Sequence, residues 1–255
     1  FLFAIQIYCD FMSYSEIAIG AAEVLGIRIS ENFKQPFLAK SLADLWRRWH
    51  MSLMSWFKDY LYIPLGGSRR GHVRKYANVL IVFTLSGLWH GSAFTFIVWG
   101  FLSGLLQVLG EVTRGLREGA AGLIPFKGGA ASFIHTQYQR IVTFLLFTFT
   151  VVFFRSPDIR TALLVFKKIF TESGIKALNG FDLRTIGLGT LNLGITVFML
   201  IILLIMELIK ERRGETVVFI TEEPLLIRWT VYFFLVCAII GSTNIGAARF
   251  IYFEF

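Results

Sequence analysis

Charge is scarce in this sequence. Only 16% of its 255 residues are Asp, Glu, Lys or Arg, and 55% are hydrophobic, against about 25% and about 45–50% in an ordinary soluble domain. The mean hydropathy is +0.65. Such a chain has more apolar surface than a soluble core absorbs, so lipid must take the excess, and disorder is excluded. Cysteine is almost absent as well. Cys9 and Cys237 stand far apart in apolar runs, with no C-x-x-C and no paired histidine spacing. That excludes a disulfide scaffold, leaves zinc and redox chemistry without support, and makes both thiols packing residues. The G-x-x-x-x-G-K-[ST], H-E-x-x-H and G-x-S-x-G patterns are missing, which removes nucleotide-binding P-loop, metalloprotease and serine-hydrolase readings. No metal is expected.

The net charge of +8 fits loops held by the positive-inside rule and anionic leaflets, with membrane lipid rather than nucleic acid as the partner. Strand alternation and 20–50-residue repeats are absent. The chain is therefore expected to be all-α, with roughly five membrane segments and two surface helices. It opens on Phe1 with no signal-peptide pattern, and is expected to be a fragment lacking its N-terminal part.

The first apolar run, Phe1 to Leu25, is interrupted by Asp10, Ser13, Tyr14, Ser15 and Glu16. Asp10, Ser13 and Tyr14 at i, i+3 and i+4 share a helical face that must look into protein or a wet cavity. Next, over residues 41–63, Leu42, Leu45, Trp46, Trp49, Leu53, Trp56 and Tyr60 form a Trp-rich stripe, with Asp44, Arg47, Arg48, Lys58 and Asp59 on other faces. That pattern predicts an interfacial helix at headgroup depth, ended by Pro64, Gly66 and Gly67. The loop to Lys75 carries Arg69, Arg70 and Arg74 and is expected on the cytoplasmic side.

Residues 76–110 are nearly continuously apolar, about 52 Å as one helix against a hydrocarbon core of about 30 Å, so they form either a tilted helix or one broken near Trp89–Gly91. Gly87/Gly91 and Gly100/Gly104 are small-xxx-small pairs that admit a neighbouring backbone. A Gly-rich loop is expected over 111–132, a third apolar helix over 133–154, an amphipathic helix over 156–170, and membrane helices over 186–209 and 225–240.

His90 lies mid-way in the 76–110 run, and an ionisable group at membrane depth is a functional hypothesis. A neutral imidazole there can take a proton from a hydroxyl, as a general base must, with Ser86 four residues earlier to orient it. A packing histidine is the plainer alternative. His50, one turn from Arg47, is either a snorkelling residue or, with Arg47, a holder of an anionic group. His72 and His135 read as solvated.

The blocks YCDFMSYSEIAIG, ENFKQPFLAKSLADLWRRWHMSLMSWFKDYLYIPLGG, SGLWHGSAFTFIVWG and the closing FIYFEF resemble the membrane-bound O-acyltransferase family, in its bacterial alginate O-acetyltransferase branch. The resemblance implies a helical membrane bundle around a tunnel, a single domain over 1–255 forming the C-terminal half of a longer protein of the bacterial inner membrane. It implies O-acyl transfer from a cytoplasmic thioester donor, acetyl-CoA or an acyl carrier, to hydroxyls of an exported polysaccharide, with no tightly bound cofactor and with periplasmic acetyltransferase partners. His90 matches the catalytic histidine and His50 the second histidine-bearing motif. Arg47, Arg48, Trp89, Asp59, Tyr60, Asp10 and Tyr14 are the matching candidates for substrate contact. Two other readings remain open: D-alanyl transfer from a carrier toward teichoic acid, and a non-catalytic acyl or sugar transporter component using Asp10 and His90 as a path.

Overall fold

The computed structural model describes residues 1–122, 129–171, 190–213 and 220–242. The closing FIYFEF block, the start of the expected 186–209 helix and part of the expected 111–132 loop lie outside these residues. The chain divides into two compact units, residues 1–171 and 172–254. Most of the described residues are helical, and none forms a β-strand. A single antiparallel bridge pairs Phe33 with Trp49.

In the first unit, α1 (Leu2–Val24) buries Ala4, Ile7, Tyr8 and Ser15, a stripe at i+3/i+4 spacing that turns one side of the helix inward. It stops at Gly26, whose φ of +73° lets Gly26 N–H donate to Glu23 O and Ile27 N–H to Ala22 O, both at 2.9 Å. These two bonds satisfy carbonyls that the helix end would orphan. An extended strap, 28–35, then leads into a short 3₁₀ turn, Pro36–Leu38.

The expected single helix over 41–63 is broken in two. α2 (Leu42–Arg48) starts at Ser41, whose hydroxyl accepts from Asp44 N–H at 3.2 Å, while Asp44 accepts in return from Lys40 N–H at 3.2 Å. This reciprocal capping is worth about 1 kcal/mol. α3 (Met51–Phe57) follows the break and widens into a π-helical turn over Lys58–Tyr62. The Trp-rich stripe divides accordingly. Leu42, Leu45, Trp46, Trp49 and Phe57 are buried against protein, whereas Trp56 and Tyr60 are exposed.

α4 (His72–His90) and α5 (Phe94–Val112) form a helical hairpin joined by Gly91–Ala93, the broken form of the 76–110 segment. The glycines explain its closeness. A Cβ on Gly87 would lie 3.3 Å from Gly100 Cα and strike the Phe96 carbonyl; one on Gly100 would lie 3.1 Å from Gly87 Cα and strike the Phe83 carbonyl. The small-xxx-small pairs thus admit each other's backbone. Where a loop was expected, α6 (Arg114–Gly122) is helical.

α7 (Gly129–Arg155) crosses this hairpin and buries Phe147, Val151, Phe153 and Phe154. α8 (Ile159–Thr171) packs back on α7 through Phe166, 4.7 Å from Phe149 and 5.6 Å from Phe153 between ring centroids. The core between α2, α4, α5 and α7 is aromatic. Trp46 meets Phe83 at 5.2 Å, Trp99 at 6.0 Å and Phe147 at 6.0 Å, all three edge to face. That geometry adds about 0.5–1.5 kcal/mol per pair to area burial.

In the second unit, α9 (Thr190–Arg213) and α10 (Leu225–Ser242) present Phe198, Ile201, Leu204, Phe233 and Phe234 outward. Three described helices are long and apolar enough to cross a membrane: Phe94–Val112, Gly129–Arg155 and Leu193–Arg212, with Leu225–Gly241 a shorter apolar helix. The protein is a membrane protein on that count. α1 and α4 match the others in length, but Asp10, Glu16 and Glu23 in one, and Arg74, Lys75 and Asn78 in the other, dilute their apolar character.

Candidate active site

His90 is the last residue of α4, with Gly91 at the helix end. Its imidazole stands edge-on to Trp99 of α5 and Phe154 of α7, each at 5.2 Å between centroids, and to Trp89 at 4.9 Å. Phe154 in turn touches Phe96 at 5.0 Å and Trp99 at 5.1 Å. Three helices therefore define the position of this one ring, which remains half-buried. Ser86, the expected orienting group, is buried one turn below it, and the rings around His90 are aromatic.

His50 comes to the same place from a different element. It sits at the break between α2 and α3 with φ 46° and ψ 53°, a left-handed conformation that costs a residue bearing a Cβ about 1–2 kcal/mol. Neighbouring bonds hold it there. Lys34 N–H donates to Arg48 O at 2.9 Å and Met51 N–H to Asn32 O at 3.0 Å, so the 28–35 strap clamps both sides of the break. The His50 ring packs edge-on to Phe11 of α1 at 4.7 Å and lies 6.3 Å from Trp89. α2 and α3 are too short to span a bilayer, and burial lowers the His50 pKa from 6.5 to about 4. His50 is neutral at physiological pH.

The other candidates scatter. Trp89 borders both histidine rings and is 57% exposed. Arg48 stays with its own helix, its Nε 3.1 Å from Asp44 Oδ1, and its guanidinium also donates to Lys34 O at 3.4 Å. Arg47 is exposed and lines a cleft of about 300 Å³ with Lys58, Tyr62, Gln107 and the ion-paired Lys75 and Glu111. Of the expected Arg47–His50 pair, Arg47 lines this cleft while the His50 ring packs on Phe11 and near Trp89. Asp59 and Tyr60 are exposed on the π turn, Tyr60 leaning on Trp56 at 5.3 Å. On α1, Tyr14 and Ser13 are exposed and Asp10 is half-buried. The inward stripe runs instead through Tyr8, Phe11 and Ser15, since about 100° per residue carries 10, 13 and 14 off that line.

Sequence reasoning missed Phe11, Asn32, Ser52, Trp99 and Phe154. Each is ordinary in its own segment and acquires meaning only through a contact between elements distant in sequence.

Residues 1–122 match the family model described as MBOAT, membrane-bound O-acyltransferase family. That stretch contains both histidines and every ring around them except Phe154. Residues 1–122 belong to the membrane-bound O-acyltransferase family. Relatives extend the likeness further along the chain. A protein of Pseudomonas aeruginosa named probable alginate O-acetylase AlgI is 36% identical over 188 residues, 73% of this chain and 34% of the relative. The peptidoglycan O-acetyltransferase of Helicobacter pylori is 35% identical over 186 residues, 71% of this chain and 31% of the relative. The teichoic acid D-alanyltransferase of Bacillus subtilis is 32% identical over 112 residues, 41% and 28%. The chain spans about a third of the length of these curated relatives.

Proposed function

We propose that this chain is the histidine-bearing part of a membrane O-acyltransferase that moves acetyl groups from a cytoplasmic thioester donor to hydroxyls of an exported polysaccharide such as alginate. The supporting observation is that His90 and His50, forty residues apart, both border Trp89, at 4.9 and 6.3 Å between ring centroids, within the stretch matched by the acyltransferase family. His90 acts as general base. Its unprotonated ring nitrogen takes the proton of the acceptor hydroxyl, the oxygen forms a bond to the thioester carbonyl carbon, and the tetrahedral intermediate collapses by breaking the C–S bond. The leaving thiolate then recovers the proton from the imidazolium. The C-terminal end of α4, with its partial negative charge, favours the imidazolium that forms transiently there.

The donor is acetyl-CoA or an acyl carrier acting as co-substrate, with no tightly bound cofactor. The setting is a bacterial inner membrane, with periplasmic acetyltransferase proteins receiving or passing on the acetyl group. His50 borders the reacting groups, and Trp89 covers them.

The test is the O-acetyl content of exported polysaccharide in cells carrying the full-length protein or its His90→Ala variant at matched membrane expression. Loss of ester by about 10²–10⁴ with polymer export intact is expected of a missing general base. Unchanged ester content would reduce His90 to a packing residue and end this reading. D-alanyl transfer from an acidic carrier is the second reading. The Bacillus subtilis relative and the exposed Arg69 and Arg70 support it. It predicts D-alanine ester, not acetate, as the product lost.

A further inference from the structure

The groups behind His50 determine which of its nitrogens carries the proton. Asn32 Oδ1 accepts from Ser52 N–H at 3.3 Å, and that backbone donor identifies the oxygen end of the amide. The Ser52 hydroxyl lies 2.6 Å from the same Oδ1. An amide oxygen has no proton to give, so Ser52 Oγ is the donor of this bond and its single proton is committed. Ser52 Oγ also lies 3.5 Å from His50 Nδ1. With its proton committed to Asn32 Oδ1, Oγ can only accept from Nδ1, and this long contact therefore favours hydrogen on that nitrogen. The other end of the amide is anchored as well, Asn32 Nδ2 donating to the buried Ser15 Oγ of α1 at 3.3 Å. Asn32 O receives the Met51 N–H at 3.0 Å. One asparagine thus joins α1, the strap and α3, and the chain Ser15–Asn32–Ser52 ends on His50.

We propose that Asn32 and Ser52 are positioning residues that lock His50 in the Nδ1–H tautomer, leaving Nε2 as an acceptor only. The side of His50 away from Ser52 then recognises a hydrogen-bond donor, a hydroxyl or an amide N–H, and gives nothing to a phosphate or carboxylate oxygen. A neutral histidine shows two different ring nitrogens, and the partner on one decides the chemistry of the other. The assignment of that donor as the acceptor sugar's hydroxyl rests on the acyl-transfer reading; the tautomer does not.

The experiment uses the full-length protein in detergent or nanodiscs, labelled with ¹⁵N-histidine, with the His50 signals identified by their loss in His50→Gln. At pH 7 the wild type is expected to show a pyrrole-type Nδ1 and a pyridine-type Nε2. Ser52→Ala, an exposed position whose change spares the core, is expected to shift population toward Nε2–H. Ser52→Thr keeps the hydroxyl and is expected to keep the wild-type pattern. An Nε2–H wild type, or a Ser52→Ala spectrum identical to wild type, would overturn the proposal. Because the readout is spectroscopic, it can succeed where the acyl-transfer assay on His90→Ala fails, or fail where that assay succeeds.

Discussion

Gly87 of α4 and Gly100 of α5 face one another so closely that a methyl group on either would meet the opposite Cα within 3.3 Å and collide with a backbone carbonyl. Backbone cannot retreat as a side-chain tip can. This contact sets the hairpin that brings Trp99 against His90, so the site geometry depends on two missing side chains.

Gly87→Ala and Gly100→Ala are therefore expected to separate the hairpin, at about 1–3 kcal/mol or more of overpacking. The check is monodisperse yield and Tm of the full-length protein in detergent. Gly110→Ala, with nothing within 4 Å, should be neutral or slightly stabilising because alanine is the better helix former. Equal damage at all three positions would refute the packing argument.

Phe147 stands at the centre of the aromatic core, 2% exposed, 5.0 Å from Trp49 and 6.0 Å from Trp46. Phe147→Ala should cost about 3–5 kcal/mol through the cavity it leaves. Trp49 immediately precedes His50, so loosening here should also free the break between α2 and α3. Phe147→Leu fills most of the space and should retain most of the stability, measurable as a much smaller drop in Tm.

Asn78 is fully buried, and its Nδ2 donates to Leu65 O at 3.3 Å and Gly67 O at 3.0 Å. It closes the turn that carries the exposed Arg69 and Arg70. Removing the donor takes from Gly67 O its side-chain partner, at about 1–3 kcal/mol, while Leu65 O keeps the Arg74 Nε–H at 3.3 Å. Asn78→Asp preserves shape and loses the N–H groups, so it should open the turn as Asn78→Ala does. Faster tryptic cleavage after Arg69 and Arg70 in both variants is the expected result; protection retained in the Asp variant would mean that shape, not donation, closes the turn.

The low pKa of His50, about 4 against 6.5, has a definite sign in stability. The unfolded chain takes up the proton more readily than the folded one. The stability that goes with a neutral His50 is full above about pH 6.5 and is lost as pH falls toward 4. Thermal unfolding of the full-length protein should show Tm falling through that window, with a shallower fall in His50→Gln. Identical slopes would place the acid sensitivity on other groups.

Much of this molecule is legible without coordinates. Composition alone demands lipid, and helical spacing marks α1, α5, α7 and α10 to within a few residues. The position of Gly91 after a long apolar run marks the break that becomes the hairpin. His90 and His50 stand out because polar groups are rare where they occur. The Trp-rich stripe was misread in part, because a periodic apolar face looks the same whether lipid or protein covers it: Trp46 and Trp49 face protein, while Trp56 and Tyr60 stay outside. The same limit applies to the polar face of α1. Spacing shows which residues share a side, but the neighbouring helix decides which side turns inward.

Local pattern thus determined the fold class, the helices and the two histidines, since hydrophobic periodicity and rare polar residues are properties of short segments. Only the tertiary structure decided that both histidines border Trp89, that Arg47 lines a separate cleft, and that Asn32 reaches Ser52 twenty residues on. Those are contacts between elements distant in the chain, and no periodicity within one segment encodes which partner arrives from another.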